Sequence, residues 1–332
     1  MDTGFGGTDL PRSAAVRAAL VREIVATRSC SDQAVLAAMG KVPREAFVPA
    51  YFVSTGDGRL YLLRREDDPV VWLDNAYLDT VLVTQLDARY HADDADPAHP
   101  PAYGVATCST SQPSLMAGML ALLDLGPGQR VLEIGVGTGY NAALLCELVG
   151  EGNVVSVEYD AVLAEKAVGR LRALGYRPTV LTGDGGEGVP ALAPFDRIIA
   201  TCAFESVPAA WLEQTGPGGV IVVNLMPQIA AGVLATFRVV GPQTAIGRVA
   251  PAWTCFMPTR AQPPDRAIEL LNVADLDTAP VRKTALRWSD VRSADGLYAL
   301  AALTLPAYHV TAYDESGAEE AWLAVGGLVC SG

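Results

Sequence analysis

Histidines, paired cysteines and long apolar runs are all scarce in this sequence. Its 332 residues include three histidines and six scattered cysteines, without a Cys-x-x-Cys pair or another spacing typical of a metal site. The longest apolar run, residues 297–305, is too short for a membrane-spanning helix. We therefore predict no metal site and no membrane association, and we expect the cysteines to be free thiols in a reducing compartment.

Basic residues are scarce as well. There are 24 Lys and Arg against 37 Asp and Glu, a net charge of −13, and because nucleic-acid binding needs a basic surface we predict no nucleic-acid partner. The first ten residues have neither the basic start nor the apolar centre of a signal peptide, which predicts a cytoplasmic protein. With half of the residues hydrophobic, the chain can form a sizeable core of about two domains.

A glycine-rich stretch at residues 130–141, Arg-Val-Leu-Glu-Ile-Gly-Val-Gly-Thr-Gly-Tyr-Asn, is the organising feature of the chain. It reads as a short apolar strand, a tight turn and the start of a helix. Glycines at alternate positions allow the backbone to turn sharply and to approach a ligand closely. Glu133 lies inside the apolar strand, and a buried carboxylate needs donors, which turn amides or the ammonium of a ligand could provide.

The spacing of the glycines distinguishes between kinds of ligand. The NAD fingerprint requires a third glycine where this chain has Tyr140, and no Gly-Lys-Ser/Thr follows to form a phosphate-binding loop. The remaining pattern, Glu-x-Gly-x-Gly-x-Gly, is that of S-adenosylmethionine-dependent methyltransferases. The motif alone leaves open a glycine-rich turn without a ligand.

Downstream, strands and helices alternate, which predicts a parallel sheet with helices on both faces. The predicted strands are 154–158, 179–182, 195–200 and 220–225, with a helix at 161–174 and a final strand pair at 234–240 and 248–257. Ligands of such sheets bind at the carboxyl ends of the strands. Glu158 there can accept hydrogen bonds from ribose hydroxyls, and Asp184 from an adenine amino group. The alternatives are a solvated acid for Glu158 and an Asp-Gly turn for Asp184.

The segment before the glycine-rich stretch is more mixed. Helical spacing over residues 12–39 predicts two helices, the second capped by Ser31. Residues 51–90 have strand-like patterns, including 70–73, and residues 91–103 predict an exposed, mobile loop. We divide the chain into an N-terminal helical and strand region at 1–110, a ligand-binding core at 111–260 and a small mixed extension at 261–332.

Ser111 precedes a helix that Pro113 is predicted to begin. Ser111 or Gln112 suits the cap position, and the free amides of a helix start, together with neighbouring hydroxyls, also suit a substrate carboxylate. A carboxylate, with a pKa of about 4, is already ionised at neutral pH. Methyl transfer to it needs in-line positioning and exclusion of water rather than a strong base. The scarcity of histidine is therefore no objection to an enzyme.

Ordered motifs over residues 31–260 resemble those of the protein-L-isoaspartate (D-aspartate) O-methyltransferase family. They are Val-Pro-Arg-Glu-Ala-Phe-Val-Pro at 42–49, Ala-Tyr-Leu-Asp at 76–79, Ser-Gln-Pro at 111–113, the glycine-rich stretch, Gly-Asp-Gly at 183–185, and the segments 194–199 and 216–219. The resemblance implies an α/β fold, a doubly wound Rossmann-like class I S-adenosylmethionine-dependent methyltransferase, with N-terminal helices, an insertion and a small mixed C-terminal extension.

The resemblance also implies the site and its chemistry. The family methylates an isoaspartyl α-carboxylate, and the ester then closes to a succinimide that hydrolyses to aspartate; S-adenosylhomocysteine is the other product. Ser111 is the implied catalytic residue, and Thr110, Gln112, Ser114, Cys202 and Ala203 are expected to bind the peptide or protein substrate. The residues expected to bind S-adenosylmethionine are Glu133, Gly135, Val136, Gly137, Thr138, Gly139, Asn141, Glu158, Tyr159, Asp184 and Gly185.

Two departures from the family pattern bear on the substrate. The segment from Pro49 to Ser111 is longer than usual, and the residues after Arg260 are additional. They suggest a defined macromolecular substrate, and the sequence is similar to a branch that accompanies ribosomal peptide natural products such as graspetides or lanthipeptides. That branch implies methylation of an aspartate in a crosslinked precursor peptide, with closure to an aspartimide. The alternatives are repair of generic isoaspartyl proteins, a non-catalytic binding module, and methylation of a small-molecule carboxylate.

Overall fold

The computed structural model describes residues 10–55, 59–96, 98–226, 232–260, 310–313, 320–325 and 328–331. The chain divides into two compact units. The first contains residues up to 201 together with 209–222 and 238–246, and the second contains 202–208, 223–237 and the residues from 247 onward. None of the helices in these described ranges combines the length and apolar character needed to cross a membrane.

The helices and strands alternate along most of the chain. The helices are α1 (Leu10–Ala26), α2 (Gln33–Lys41), α3 (Pro69–Ala76), α4 (Pro113–Leu122), α5 (Tyr140–Val149), α6 (Ala161–Ala173) and α7 (Ala209–Gln214). The strands are β1 (Ala50–Ser54), β2 (Leu60–Arg64), β3 (Leu82–Leu86), β4 (Tyr90–His91), β5 (Ala106–Thr110), β6 (Val131–Ile134), β7 (Val154–Glu158), β8 (Thr179–Thr182), β9 (Phe195–Phe204), β10 (Thr215–Leu225), β11 (Gly232–Gly241), β12 (Thr244–Thr254), β13 (Val310–Tyr313), β14 (Glu320–Val325) and β15 (Leu328–Ser331).

A seven-stranded sheet carries the glycine-rich stretch, in the order β12-β11-β10-β9-β6-β7-β8. Strand β6 pairs in parallel with β7 on one side and with β9 on the other, and β7 pairs in parallel with β8. The strand order therefore reverses between β6 and β9, where open α/β sheets bind ligands. All residues of β6 and β7 are buried, as expected for parallel strands covered on both faces. The predicted doubly wound Rossmann-like fold is confirmed.

The two N-terminal helices are present, but the predicted cap of the second is wrong. The Asp32 carboxylate, rather than Ser31, accepts hydrogen bonds from the amides of Ala34 and Val35, at 2.8 and 3.1 Å. Both residue types are good caps, so composition alone could not choose between neighbours. The helix begins one residue later than Ser31 would require.

The strand predicted at 70–73 is also wrong, because this segment lies in α3. Pro69 occupies the first turn of the helix, and the Asp68 carboxylate accepts a hydrogen bond from the Val71 amide at 3.0 Å. Trp72 is buried whereas Val71 is exposed, so the segment buries one helical face. The Asp-Pro start signal was therefore stronger than the strand preference of two adjacent valines.

A second sheet forms the segment between Pro49 and Ser111. Its order is β2-β1-β3-β4, with β5 also paired to β3. The predicted loop at 91–103 begins with the second residue of β4 and a short 3-10 helix at Ala92–Asp94, so it has more structure than expected. Strand β5 ends at Thr110, directly before Ser111.

Beyond Arg260, the described residues form a three-stranded antiparallel sheet, β13-β14-β15. The apolar run at residues 297–305 lies outside the described residues. The predicted division at residues 110 and 260 stays a prediction.

Candidate functional site

The glycine-rich loop connects β6 to α5 at the point where the strand order reverses. Gly137 and Gly139 have φ angles of +52° and +94°, which L-residues with a Cβ rarely adopt. A Cβ on Gly139 would also lie 3.4 Å from Leu171 Cγ in α6. Gly139 occupies the N-cap position of α5. The glycines therefore give the sharp turn that the sequence predicted, and they bring the backbone close to α6.

Glu133 is fully buried beneath this loop and has partners other than those expected. Its two carboxylate oxygens accept from Asn141 Nδ2 at 2.7 Å and from Ser156 Oγ at 2.5 Å. Burial raises the pKa of Glu133 to about 7, although these two hydrogen bonds oppose the rise. Among the described residues, the donors are thus side chains rather than turn amides. Asn141 Oδ1 is a buried acceptor without a hydrogen-bond partner within the described part of the chain.

Glu158 lies at the carboxyl end of β7 and is joined to the glycine-rich loop. One carboxylate oxygen accepts from the Gly137 amide at 2.9 Å, and the other accepts from the Asp160 amide at 3.2 Å. The next residue, Tyr159, is exposed. The structure therefore brings together three predicted residues, Gly137, Glu158 and Tyr159, at the ends of two neighbouring strands.

The end of β8 has the Asp-Gly turn that was the alternative for Asp184. Asp184 Oδ1 accepts from the Gly186 amide at 2.8 Å and begins a short 3-10 helix. A Cβ on Gly185 would lie 2.3 Å from Ile134 Cγ2, closer than real atoms approach. Gly185 is therefore required by packing against the end of β6, and the turn places Asp184 near the glycine-rich loop.

The segment leading to Ser111 contacts the glycine-rich loop directly. The hydroxyls of Thr110 and Thr138 are 2.8 Å apart in a buried hydrogen bond. A Cβ on Gly137 would lie 3.6 Å from Cys108 Sγ, also in β5. Ser111 is thus one residue away from a side chain bonded to the loop, so the predicted catalytic and cofactor-binding residues meet in one site.

The N-terminus of α4, which was expected to accept a substrate anion, is bonded to a carboxylate of the chain itself. Asp79 Oδ1 accepts from the Ser114 amide at 2.8 Å, and Asp79 Oδ2 accepts from Gln112 Nε2 at 3.0 Å. Gln112 occupies the cap position, and no side-chain cap bond comes from it. The sequence expected Ser111 or Gln112 at the cap, and Gln112 is the residue there, while the carboxylate that accepts from the helix start comes from Asp79 in another segment.

Arg44 holds the backbone around this turn and was not recognised as a site residue from the sequence. It is fully buried, and its guanidinium donates to four carbonyl oxygens. Nη1 donates to Ala76 at 2.6 Å and Leu78 at 3.1 Å, and Nη2 to Thr80 at 2.9 Å and Ser111 at 3.1 Å. Burial lowers the pKa of Arg44 to about 10, so it remains charged at neutral pH. The sequence signal that could have identified Arg44 is its position between two prolines in an otherwise largely apolar stretch.

Residues 91–96 are anchored beside the loop by charged side chains of α6. Arg170 bonds to the Asp93 carboxylate, and Lys166 Nζ lies 2.5 Å from Asp94 Oδ2. Arg170 Nη1 also donates to the Thr138 carbonyl at 3.4 Å. This segment was predicted as an exposed loop, and the structure attaches it to the helix that packs under Gly139.

The remaining predicted substrate residues, Cys202 and Ala203, belong to the second unit. The Ala203 amide donates to the Met257 carbonyl at 2.8 Å, and the Ala203 carbonyl accepts from the Thr259 amide at 2.9 Å. Their predicted role in substrate binding stays a prediction. Across the described ranges, no group of three or more His, Cys, Asp or Glu residues could hold a metal ion.

A family model and the relatives named here indicate one family. The family model for protein-L-isoaspartate(D-aspartate) O-methyltransferase matches residues 92–241. Over 206 residues the chain is 38% identical to the protein-L-isoaspartate O-methyltransferase of Ignicoccus hospitalis, covering 61% of this chain and 79% of that protein. A protein of the same name from Methylorubrum populi is 35% identical over 213 residues, which cover 64% of this chain and 81% of its own.

Solved structures extend the likeness along the chain. A protein-L-isoaspartate O-methyltransferase structure aligns with a TM-score of 0.60 and 25% identity, covering 94% of this chain and 86% of its own. A Plasmodium falciparum protein described under the same name, in complex with S-adenosyl-L-homocysteine, aligns with a TM-score of 0.53 over 74% of this chain and 98% of its own. At 15% identity the second structure supports the fold alone.

Proposed function

This chain belongs to the protein-L-isoaspartate O-methyltransferase family, and on that premise we propose that it methylates the α-carboxylate of isoaspartyl residues in peptides or proteins. The observation that carries the proposal is the hydrogen bond between Thr110 and Thr138, which joins the Ser111 turn to the glycine-rich loop. A substrate group held by Ser111 is then adjacent to a ligand held by the loop, as transfer between the two requires.

S-adenosylmethionine is the cofactor, and the residues of the loop fit it. The left-handed turn at Gly137 and Gly139 lies at the reversal of strand order, with carboxylates at the ends of β7 and β8. Glu158 and Asp184 are chemically suited to the ribose hydroxyls and the adenine amino group, and the unpaired Asn141 Oδ1 adds a buried acceptor. When bound, the cofactor supplies an electrophilic methyl group on a sulfonium.

The chain's own residues position the acceptor rather than deprotonate it. Because the substrate carboxylate is already ionised, the Ser111 hydroxyl has only to donate a hydrogen bond and hold it in line. The buried charge of Arg44, bonded to the Ser111 carbonyl, contributes a positive potential to the Ser111 turn, which suits a bound carboxylate. Segment 91–96 is joined to the loop through Arg170, which bonds to Asp93 and to the Thr138 carbonyl.

Two substrate classes remain for this activity. The relatives named above carry the name of the isoaspartyl enzyme, which supports generic isoaspartyl peptides as the first candidate. The second candidate is an aspartate in a crosslinked precursor peptide, and the observation in its favour is the sheet β1–β5 that the long segment from Pro49 to Ser111 forms. The long segment and the residues after Arg260 favour the precursor peptide less than the sequence suggested. A match over 94% of this chain to a protein-L-isoaspartate O-methyltransferase structure extends past Arg260.

Mass spectrometry of two substrates incubated with S-adenosylmethionine tests the proposal. One is a short isoaspartyl peptide with its normal aspartyl isomer as the control; the other is a crosslinked precursor peptide encoded beside the gene. We expect a methyl gain followed by loss of methanol on the isoaspartyl peptide alone. Turnover of only the precursor would replace the first candidate by the second. Binding of S-adenosylhomocysteine without turnover of either would favour a non-catalytic module on the same fold.

A further inference from the structure

Asp79 is bound at two points to the segment that follows Ser111. Its carboxylate accepts from the Ser114 amide at 2.8 Å and from Gln112 Nε2 at 3.0 Å. The Ser114 amide belongs to the first turn of α4, a ten-residue helix whose start would otherwise offer unpaired donors and a partial positive charge. Asp79 therefore occupies the place where a second carboxylate would bind most readily.

The backbone on both sides of Asp79 is fixed by the same side chain that holds Ser111. Arg44 donates to the carbonyls of Leu78 and Thr80, which flank Asp79, and to the carbonyl of Ser111. The position of the Asp79 carboxylate relative to Ser111 is therefore set by a fully buried guanidinium rather than by a flexible loop.

The two donors at this turn, the Ser111 hydroxyl and the Ser114 amide, would compete for a substrate carboxylate if both were available. Only one position can be in line with the methyl group, and a displacement of about 1 Å can cost on the order of a hundredfold in rate. Asp79 removes the competing donor and adds a negative charge that repels a carboxylate from it.

We propose that Asp79 is a positioning residue that occupies the N-terminus of α4 and thereby directs the substrate carboxylate to the Ser111 hydroxyl. The inference rests on the proposed isoaspartyl methyl transfer and adds to it a determinant of where the carboxylate binds. Asp79 acts through the Ser114 amide and Gln112, and does not itself touch the reacting atoms.

Steady-state kinetics of three full-length variants with an isoaspartyl peptide test this role. In Asp79→Ala the free Ser114 amide binds the carboxylate out of line, so kcat should fall at least about tenfold while KM also falls. Asp79→Asn keeps an oxygen that accepts from the Ser114 amide, so kcat should stay within about threefold of wild type. Asp74→Asn is the matched control, since Asp74 forms a half-exposed pair with Arg12 and should not change either constant.

A loss of kcat with unchanged KM, equal in the alanine and asparagine variants, would reduce Asp79 to a structural residue and overturn the proposal. So would wild-type constants in Asp79→Ala. Thermal unfolding and the affinity for S-adenosylhomocysteine, both expected to stay close to wild type, show that each variant is folded.

The Ser114 amide signal in NMR spectra separates this inference from the proposed function. Titration with acetate should shift it in Asp79→Ala and leave it unchanged in wild type, whether or not a substrate is turned over. An active wild type whose alanine variant shows no acetate shift would refute the role of Asp79 alone. An inactive wild type, together with the acetate shift in the variant, would refute the proposed substrate. The conclusion that Asp79 occupies the N-terminus of α4 would still hold.

Discussion

The two halves of the site differ in where their determinants lie along the chain. The cofactor half is formed mainly by a contiguous strand, loop and helix, and its central contacts join Gly137 to Glu158 and Glu133 to Asn141. The half around Ser111 depends on Arg44 and Asp79, which lie far from it in sequence. A contiguous motif therefore specifies one half, whereas the other exists only after distant segments have packed.

This difference separates the expected effects of substitutions. Changes in the cofactor half should alter stability or cofactor affinity, because loop conformation, packing and binding are set by the same residues. Changes around Ser111 should alter turnover while cofactor affinity is retained, because the turn contacts the loop through Thr110 and Thr138 and has its own supports.

The largest expected effect is on the pH dependence of stability, through the buried carboxyl of Glu133. The pKa of Glu133 is raised to about 7 from an ordinary value of 4.5 because the carboxyl is fully buried. The folded state thus binds the proton more tightly than the unfolded chain, and proton binding at Glu133 adds to the free energy of unfolding. This contribution is complete below about pH 4.5 and is lost as pH rises through about 7. Relative to Glu133→Gln, wild type should lose up to about 3 kcal/mol across this window. Urea unfolding at several pH values measures the difference, and parallel curves for the two proteins would contradict it.

The next prediction tests the packing of Gly185, just after β8, against Ile134 at the end of β6. A Cβ on Gly185 would meet Ile134 Cγ2 at 2.3 Å, whereas one on Gly183 would meet nothing within 4 Å. Gly185→Ala should therefore cost about 2–3 kcal/mol in the free energy of unfolding, and Gly183→Ala, the matched control, less than about 0.5 kcal/mol. Denaturant unfolding of both variants checks this, and equal losses would show that the close approach to Ile134 is not the cause.

A smaller effect is expected on turnover alone. Ser111→Ala removes a donor to a charged carboxylate, which should cost about 2 kcal/mol and slow methyl transfer roughly thirtyfold. The dissociation constant for S-adenosylhomocysteine, measured by calorimetry, should stay within about twofold of wild type. Ser109→Ala, two residues earlier in β5, is the control for loss of a nearby hydroxyl. Wild-type turnover in Ser111→Ala would remove Ser111 from the mechanism.

The smallest expected effect is on cofactor affinity. Glu158→Ala removes a carboxylate that accepts from the Gly137 amide at 2.9 Å and is expected to bind ribose hydroxyls. The dissociation constant for S-adenosylhomocysteine should rise about tenfold, as expected for loss of about 1.4 kcal/mol. Glu165→Ala, at an exposed position of α6, should have no effect. An unchanged affinity in Glu158→Ala would exclude the ribose assignment and weaken the contrast between the two halves.

The sequence predicted the turn and the parallel sheet of the cofactor half because the signals for both are local. Glycines at alternate positions after an apolar strand require a left-handed turn, and the alternation of later strands and helices requires a parallel sheet. The donors to Glu133 were not predicted. Asn141 is in the first turn of α5, beyond the glycine-rich loop, so its approach depends on the path of that loop. Ser156 is on the neighbouring strand, so its approach depends on the pairing of β6 with β7.

The half around Ser111 was predicted less well because its determinants come from distant segments of the chain. The residue types at Ser111, Gln112 and Pro113 indicated a helix start, but the carboxylate that binds it comes from Asp79 in another segment. At the start of α2 the cap was assigned to Ser31 instead of Asp32, and the start of α3 was missed because residues 70–73 were interpreted as a strand. The substrate branch was inferred from extra length, and a family structure covering 94% of the chain shows that length does not distinguish it.

Arg170 has a consequence for the rates at which ligands exchange. Its guanidinium binds both Asp93 and the Thr138 carbonyl, so one side chain of α6 joins segment 91–96 to the glycine-rich loop. Lys166 and the exposed Asp94 form the adjacent pair, and exposed pairs are screened by salt. Added salt should therefore weaken the attachment of segment 91–96 to α6, and we expect product dissociation to become faster while the rate of the methyl-transfer step is unchanged.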